Sequence, residues 1–372
     1  MLSLSQIQHF SLIDLIKSGS YSTVYKAKDH KSVQYAIKLL PIALKKPKPK
    51  GFLSIFKRNK PLLKEGKILA LLQGIRGIPR LFFYGENPDI KANMIVTELL
   101  GKDLGDLSHE KMGFTTEFIS TIGCRLIEIL EEVHGRGVIH RDLKPENILM
   151  SVESKNDVIL TDFGLSKLEK KKKNKMKAIR RQFVGNLKFA SMNAHFGDKI
   201  SQKDDLESLG YVLLNFWQGN LPWERIQSKD LNEKIQRIGL RKKEFSKNEL
   251  TALPKGFKEY FSYLMELKKE EKIDYKLLKT LILSLNCPTK KEEEDRNGEK
   301  KIYKEENEAE NKNTNEEKEP SSDENKESLD EPMIQCEDEE YFKENNLSLK
   351  LKELKNLEKY VFLNFLIDFE IY

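Results

Sequence analysis

Cysteine, tryptophan and histidine are all scarce in this chain. It has three cysteines in 372 residues, and Cys124, Cys287 and Cys336 form an odd, widely spaced set. That excludes a disulfide scaffold and a cysteine–histidine zinc module, and it fits a reducing compartment, cytoplasmic or nuclear. No uninterrupted apolar run approaches 18 residues, so no transmembrane helix is expected. Residues 1–10 lack a basic start followed by an apolar stretch, so no secretory signal is expected. Neither sign of charge dominates, since the net is only +6, but the signs are unevenly placed. Lysines crowd 45–60 and 167–177, and acids crowd 292–344. A basic portion can attract acidic proteins, nucleic acid or anionic lipid, and charge alone does not choose. No aromatic-and-basic sheet motif accompanies the lysines, which argues against nucleic acid.

What is present is concentrated in one stretch, His140-Arg141-Asp142-Leu143-Lys144-Pro145-Glu146-Asn147-Ile148-Leu149-Met150. It sets an acid, a lysine and an amide within six residues. The β-branched run Val158-Ile159-Leu160-Thr161 then leads into Asp162-Phe163-Gly164. The pair resembles a protein-kinase catalytic loop followed by the strand and turn that carry a metal-binding acid.

Upstream, residues 10–16 and 22–27 read as strands around the turn Lys17-Ser18-Gly19-Ser20-Tyr21. A kinase covers the ATP phosphates with such a hairpin, but only Gly19 of the three customary glycines is present. Residues 33–40 read as a third strand, and Tyr35-Ala36-Ile37-Lys38 fits the motif whose lysine pairs the nucleotide phosphates. Residues 45–60 are a lysine- and proline-rich insertion, read either as a solvated loop or as a docking or lipid-facing element. Residues 62–73 read as a helix, and 79–85 and 93–100 as two more strands. Residues 116–136 form a long amphipathic helix, in which Cys124 reads as core. Trp217 and Trp223 read as core of the second half.

The resemblance implies an α+β, bilobal protein-kinase fold with a small β-rich N-lobe and a mainly helical C-lobe. The domain would span 9–286, with the N-lobe at about 9–96, a hinge at 97–101 and the C-lobe at about 102–286. The resemblance also assigns roles. Asp142 would orient the substrate hydroxyl and take its proton, Lys144 would reach the γ-phosphate, and Glu65 would pair with Lys38. Asn147 and Asp162 would hold Mg²⁺. Ile16, Gly19, Val24 and Ala36 would line the nucleotide pocket with Lys38. Thr97 would stand at its back, Glu98 and Leu100 would offer hinge backbone to the adenine, and Leu149 would close it from the other lobe. Arg141 would meet an anionic activation segment, His140 would be structural, and Asp205 would hold the catalytic-loop backbone.

Residues 185–223 narrow the resemblance. Ser191-Met192-Asn193, Asp204-Asp205-Leu206-Glu207-Ser208-Leu209-Gly210 and Leu221-Pro222-Trp223 are similar to the casein kinase 1 family of Ser/Thr kinases, as are Leu99-Leu100-Gly101 and Gly74-Ile75-Arg76-Gly77-Ile78-Pro79. That likeness covers about 9–285. It implies ATP and Mg²⁺, acidic or already phosphorylated protein substrates, and an anion site at Lys188 and Lys234. The turn with one glycine, the 45–60 insertion and the long basic stretch 167–181 depart from the family. A kinase-fold scaffold with little turnover is the alternative reading.

Residues 287–346 are acidic and poor in large apolar residues, as expected of a disordered linker. Residues 347–372 carry an apolar stripe at helical spacing. This segment is expected to dock in cis on the kinase domain, with a partner or a membrane surface as the alternatives.

Overall fold

The computed structural model describes residues 10–18, 22–41, 61–152, 154, 157–169, 182–268 and 271–286. The expectations for Gly19, the 45–60 insertion, the basic stretch 170–181, the acidic linker 287–346 and the 347–372 helix lie outside the described residues.

The first lobe is a five-stranded antiparallel sheet: β1 (Ser11–Ser18), β2 (Thr23–Lys28), β3 (Gln34–Pro41), β4 (Leu81–Asn87) and β5 (Ala92–Glu98), in the order β1-β2-β3-β5-β4. Its two faces follow from the two-residue period of a strand. Tyr35, Ile37 and Leu39 are buried with Ala27, Phe83, Met94 and Val96 in one cluster. The intervening Ala36 and Lys38 point the other way. β5 is apolar on both faces because Ile95, directly opposite Lys38, belongs to the main core instead.

Helix α1 (Pro61–Leu72) lies between β3 and β4 in sequence. It starts and ends one residue earlier than expected, with proline at its first position, where the missing N–H is no loss. Leu62, Ile68, Leu69 and Leu72 form its buried stripe, and Glu65 falls within that stripe. Gly66 lets the helix close on the sheet, since a Cβ there would meet Tyr84 Cβ at 2.5 Å.

The second lobe is mostly helical: α2 (Leu104–Glu110), α3 (Thr116–Gly135), α4 (Met192–Phe196), α5 (Gln202–Gln218), α6 (Leu231–Asn248), α7 (Lys255–Glu266) and α8 (Tyr275–Leu283). The short strands β6 (Val138–Ile139) and β9 (Lys167–Leu168) pair, as do β7 (Ile148–Met150) and β8 (Val158–Leu160). Helix α5 is the platform: residues 204–214 are buried without a break, as expected of a helix enclosed on all sides. Ser201 is its N-cap, and the Asp204 carboxylate reaches back to Ser201 N at 2.7 Å. Trp223 is fully buried, but Trp217 is 38% exposed. Phe216 takes the inward position at the end of α5, and one residue further turns the side chain about 100° away. Among the described residues no helix is long and apolar enough to cross a membrane.

Candidate active site

Strained backbone marks both the loop 140–147 and the turn that follows β8. Arg141 and Asp162 both have positive φ, 71° and 60°, a left-handed conformation that costs a non-glycine residue about 1–2 kcal/mol. Asp205, buried on α5, stabilises the first of these. Its carboxylate accepts from His140 N at 2.7 Å and from Arg141 N at 2.8 Å. His134 Nε2 donates to the same carboxylate at 2.9 Å, and His134 Nδ1 meets the Tyr275 hydroxyl at 2.7 Å. Burial alone would raise the Asp205 pKa. His134, with smaller contributions from His140 and the Arg141 amide, outweighs it, so the carboxyl lies below its ordinary value.

The loop and the following turn are tied together from inside. Thr161 N and Oγ1 both donate to Asn147 O, at 2.9 and 3.1 Å. His140 Nε2 meets Thr161 O at 3.0 Å, and the His140 ring packs edge-on against the fully buried Phe163. Asn147 Nδ2 donates to Asp142 O at 2.8 Å and to Asp142 Oδ2 at 3.2 Å. With Nδ2 so engaged, the amide oxygen is the Asn147 atom that would be available to a cation. Lys144 Nζ stands 3.3 Å from Asp142 Oδ2. Arg141 Nε donates to the Leu165 carbonyl at 2.7 Å, and Lys64 Nζ donates to the adjacent Ser166 carbonyl at 2.6 Å. Arg141, expected to meet an anionic segment, therefore caps a carbonyl of the segment that follows Asp162, and Lys64 caps the next one.

Lys38 joins the lobes. Its Nζ is 2.9 and 3.0 Å from the two Glu65 carboxylate oxygens and 2.8 Å from Asp162 Oδ1. Burial works against the Lys38 charge, and the two carboxylates outweigh it, holding the pKa above that of an ordinary lysine. Glu65 is pushed up by burial, with Lys38 opposing the shift. Burial also presses on Asp162, but Lys38 prevails and its carboxyl lies below the usual range.

The cleft wall follows from strand register. Val24 lies opposite Lys38, and Ala36 opposite Thr97. Val24, Ala36, Thr97, Glu98, Leu100 and Leu149 are all half-buried, and Ile16 is exposed. The Glu98 N–H donates to Arg80 O at 3.1 Å, and the Gly101 N–H to Met150 O at 2.9 Å. Glu98 thus closes β5, and a hinge amide for an adenine would come from Leu99 or Leu100.

Lys188 and Lys234 engage different groups. Lys188 Nζ pairs with Glu224 Oε1 at 2.6 Å, while Lys234 Nζ donates to Gln227 Oε1 at 3.3 Å on the exposed start of α6. Cys124 is half-buried, with its thiol pushed up to about 11 by burial and Glu128, which suits packing rather than nucleophilic chemistry. Sequence reasoning missed His134, Thr161 and Lys242. The signal for His134 was present, since it closes the apolar stripe of α3.

The sequence model of the protein kinase domain matches residues 10–280. The chain belongs to that family, whose members phosphorylate proteins with ATP and, in general, Mg²⁺.

Proposed function

We propose that this chain is a serine/threonine protein kinase that transfers the γ-phosphoryl group of ATP to hydroxyls in acidic or already phosphorylated proteins. One observation carries the reading: the Lys38 ammonium lies between the Glu65 and Asp162 carboxylates, and phosphoryl transfer needs that ion pair assembled. The likeness to casein kinase 1 in residues 185–223 supports the choice of hydroxyl and of acidic substrates.

The residues act as follows. Asp142 accepts the proton of the substrate hydroxyl as its oxygen attacks the γ-phosphorus and the bond to the ADP oxygen breaks. Asn147 holds the Asp142 side chain through its amide. Lys144, beside Asp142, neutralises charge on the transferred group. Lys38 binds the α- and β-phosphates. The Asp162 carboxylate and the Asn147 amide oxygen are hard donors of the kind Mg²⁺ takes, so the residues present fit the ion. Magnesium would supply charge neutralisation on the phosphate oxygens. At Lys188 a substrate phosphate would exchange for the Glu224 carboxylate.

The test is phosphorylation of serine, threonine and tyrosine peptides, acidic, pre-phosphorylated and neutral, by the full chain with Mg-ATP. Serine or threonine in an acidic setting should be preferred. Asp142→Asn should lower kcat by about a hundredfold or more, the usual contribution of a positioned acid–base group, with an unchanged melting temperature. Equal turnover in that variant would sink the role of Asp142. Absence of turnover in the wild type would favour a kinase-fold scaffold.

A further inference from the structure

Lys242 is fully buried, although it stands on α6 between Arg241 and Lys243. A lone ammonium in a protein interior is costly unless every N–H has a partner. Here there are three acceptors: Leu187 O at 3.2 Å, Ala190 O at 2.5 Å and His195 Nε2 at 3.2 Å. The rings of Tyr211 and Trp223 close the site, with centroids 4.8 and 5.0 Å from Nζ, within range of a cation–π contact. His195 Nδ1 faces Ile235 O at 3.0 Å and so carries the ring proton, which leaves Nε2 free to accept. Burial and the nearby Lys242 pull the His195 pKa down to about 3, so the ring stays neutral. Burial also lowers the Lys242 pKa, with Glu207 opposing. Even an uncharged amine keeps two N–H bonds for the two carbonyls.

The two carbonyls belong to one short segment, and its neighbours are held as well. Trp223 Nε1 donates to Lys188 O at 2.7 Å. Asn186 Oδ1 accepts from Lys188 N at 2.8 Å, and Glu207 accepts from Met192 N at 2.8 Å. The segment begins against the catalytic loop. Gly185 has φ 112°, and a Cβ there would meet Arg141 O at 2.8 Å, with Asp142 Oδ1 3.7 Å away. Residues 185–190 thus start beside the acid that a substrate hydroxyl would reach, and they offer a peptide a surface to run along. An apolar side chain of the same length would fill the space between the two rings. What the ammonium adds is direction, since it pulls the carbonyls of 187 and 190 inward.

We infer that Lys242 is a positioning residue for the protein substrate: from inside the helical lobe it fixes the backbone of residues 187–190, the surface along which the peptide lies. This rests on the kinase reading above and adds to it a residue that touches neither substrate nor nucleotide.

The experiment compares wild-type chain with Lys242→Met, which fills the same volume without the N–H groups, and with Trp223→Phe, which keeps a ring but loses the bond to Lys188 O. Peptide KM, ATP KM and kcat are measured with one acidic serine peptide, alongside melting temperature. In Lys242→Met, peptide KM should rise about five- to tenfold, the loss of one or two hydrogen bonds, while ATP KM stays within about twofold. Trp223→Phe should move the same constant the same way by a smaller factor. Peptide KM within twofold of wild type in a folded Lys242→Met overturns the inference. So does a parallel rise in both KM values, which marks a general packing role. If Lys242→Met does not fold, Trp223→Phe decides by the same criteria. A wild type that phosphorylates no peptide overturns the kinase reading and this inference with it.

Discussion

His195 shows how one buried ring ties stability to pH. Its pKa is pulled from the ordinary histidine range to about 3 by burial and by Lys242, whereas in the unfolded chain it returns to roughly 6.5. The folded-state value is the lower, so the unfolded chain binds the extra proton. The ring's contribution is therefore complete above about pH 6.5 and is lost as pH falls through the window toward 3. By pH 4.5 the loss is on the order of 2 kcal/mol. His195→Gln has no proton to gain, so its unfolding free energy should fall less between pH 6.5 and 4.5 than that of the wild type. Urea melts at both pH values check this by difference, which removes the carboxylates common to both proteins. Equal pH slopes would mean that His195 is not the neutral acceptor described. The same residue shows why charge does not identify a buried lysine. Lys242 sits between Arg241 and Lys243 on a helix whose sequence reads as solvated, and the Tyr211 and Trp223 rings that enclose it come from other parts of the chain.

At the scale of elements, α5 carries the catalytic loop. Asp205 reaches the His140 and Arg141 amides only because eleven consecutive residues of α5, 204–214, are buried, leaving the helix no freedom to rotate. Asp205→Asn keeps the size but replaces one accepting oxygen by an NH₂ group, which must then face an amide N–H or His134. Breaking a buried charged contact of this kind costs about 3–5 kcal/mol. The melting temperature should fall by more than 5 °C, and kcat should drop while Mg-ADP still binds through Lys38. Thermal melts with and without Mg-ADP check both. A variant with wild-type kcat would show that the loop holds its positive-φ geometry unaided. Elements of this kind were legible where periodicity or a motif fixed the register. Glu65 was placed by its register near the start of a helix, and Asp205 by the resemblance, at the start of a buried helix. The strands themselves were legible from their apolar and β-branched runs, whereas their order in the sheet, β1-β2-β3-β5-β4, was not. Contacts between distant segments were not. Nothing in the spacing couples Lys188 to Glu224, 36 residues on, or Arg141 to the Leu165 carbonyl. Trp217 was misjudged because one residue's shift on α5 separates the core from its rim.

Over the whole molecule the charge divides sharply. Residues 287–346 hold 22 acidic and 10 basic residues, a net of −12, and residues 1–286 hold 51 basic and 33 acidic, a net of +18. Both belong to one chain, so any encounter between them is governed by a high effective concentration that dilution does not lower. An acidic substrate seeks the same positive field, and the acidic stretch should compete with it. Truncation after residue 286 keeps the whole of the matched kinase domain, residues 10–280. It should lower KM for an acidic peptide and leave KM for a neutral peptide nearly unchanged. Screening sets the salt dependence, because the Debye length shrinks from about 30 Å at 0.01 M to about 8 Å at 0.15 M ionic strength. The gain on truncation should therefore be about twofold or more at the lower salt and small at the higher. Peptide kinetics on full-length and truncated chains at both salts decide the point. Equal KM values at 0.01 M would mean that the acidic stretch does not compete for the substrate surface. A gain that persists at 0.15 M would point instead to the apolar stripe of residues 347–372, whose attraction salt does not screen. Salt thus separates competition by charge from docking by the C-terminal segment.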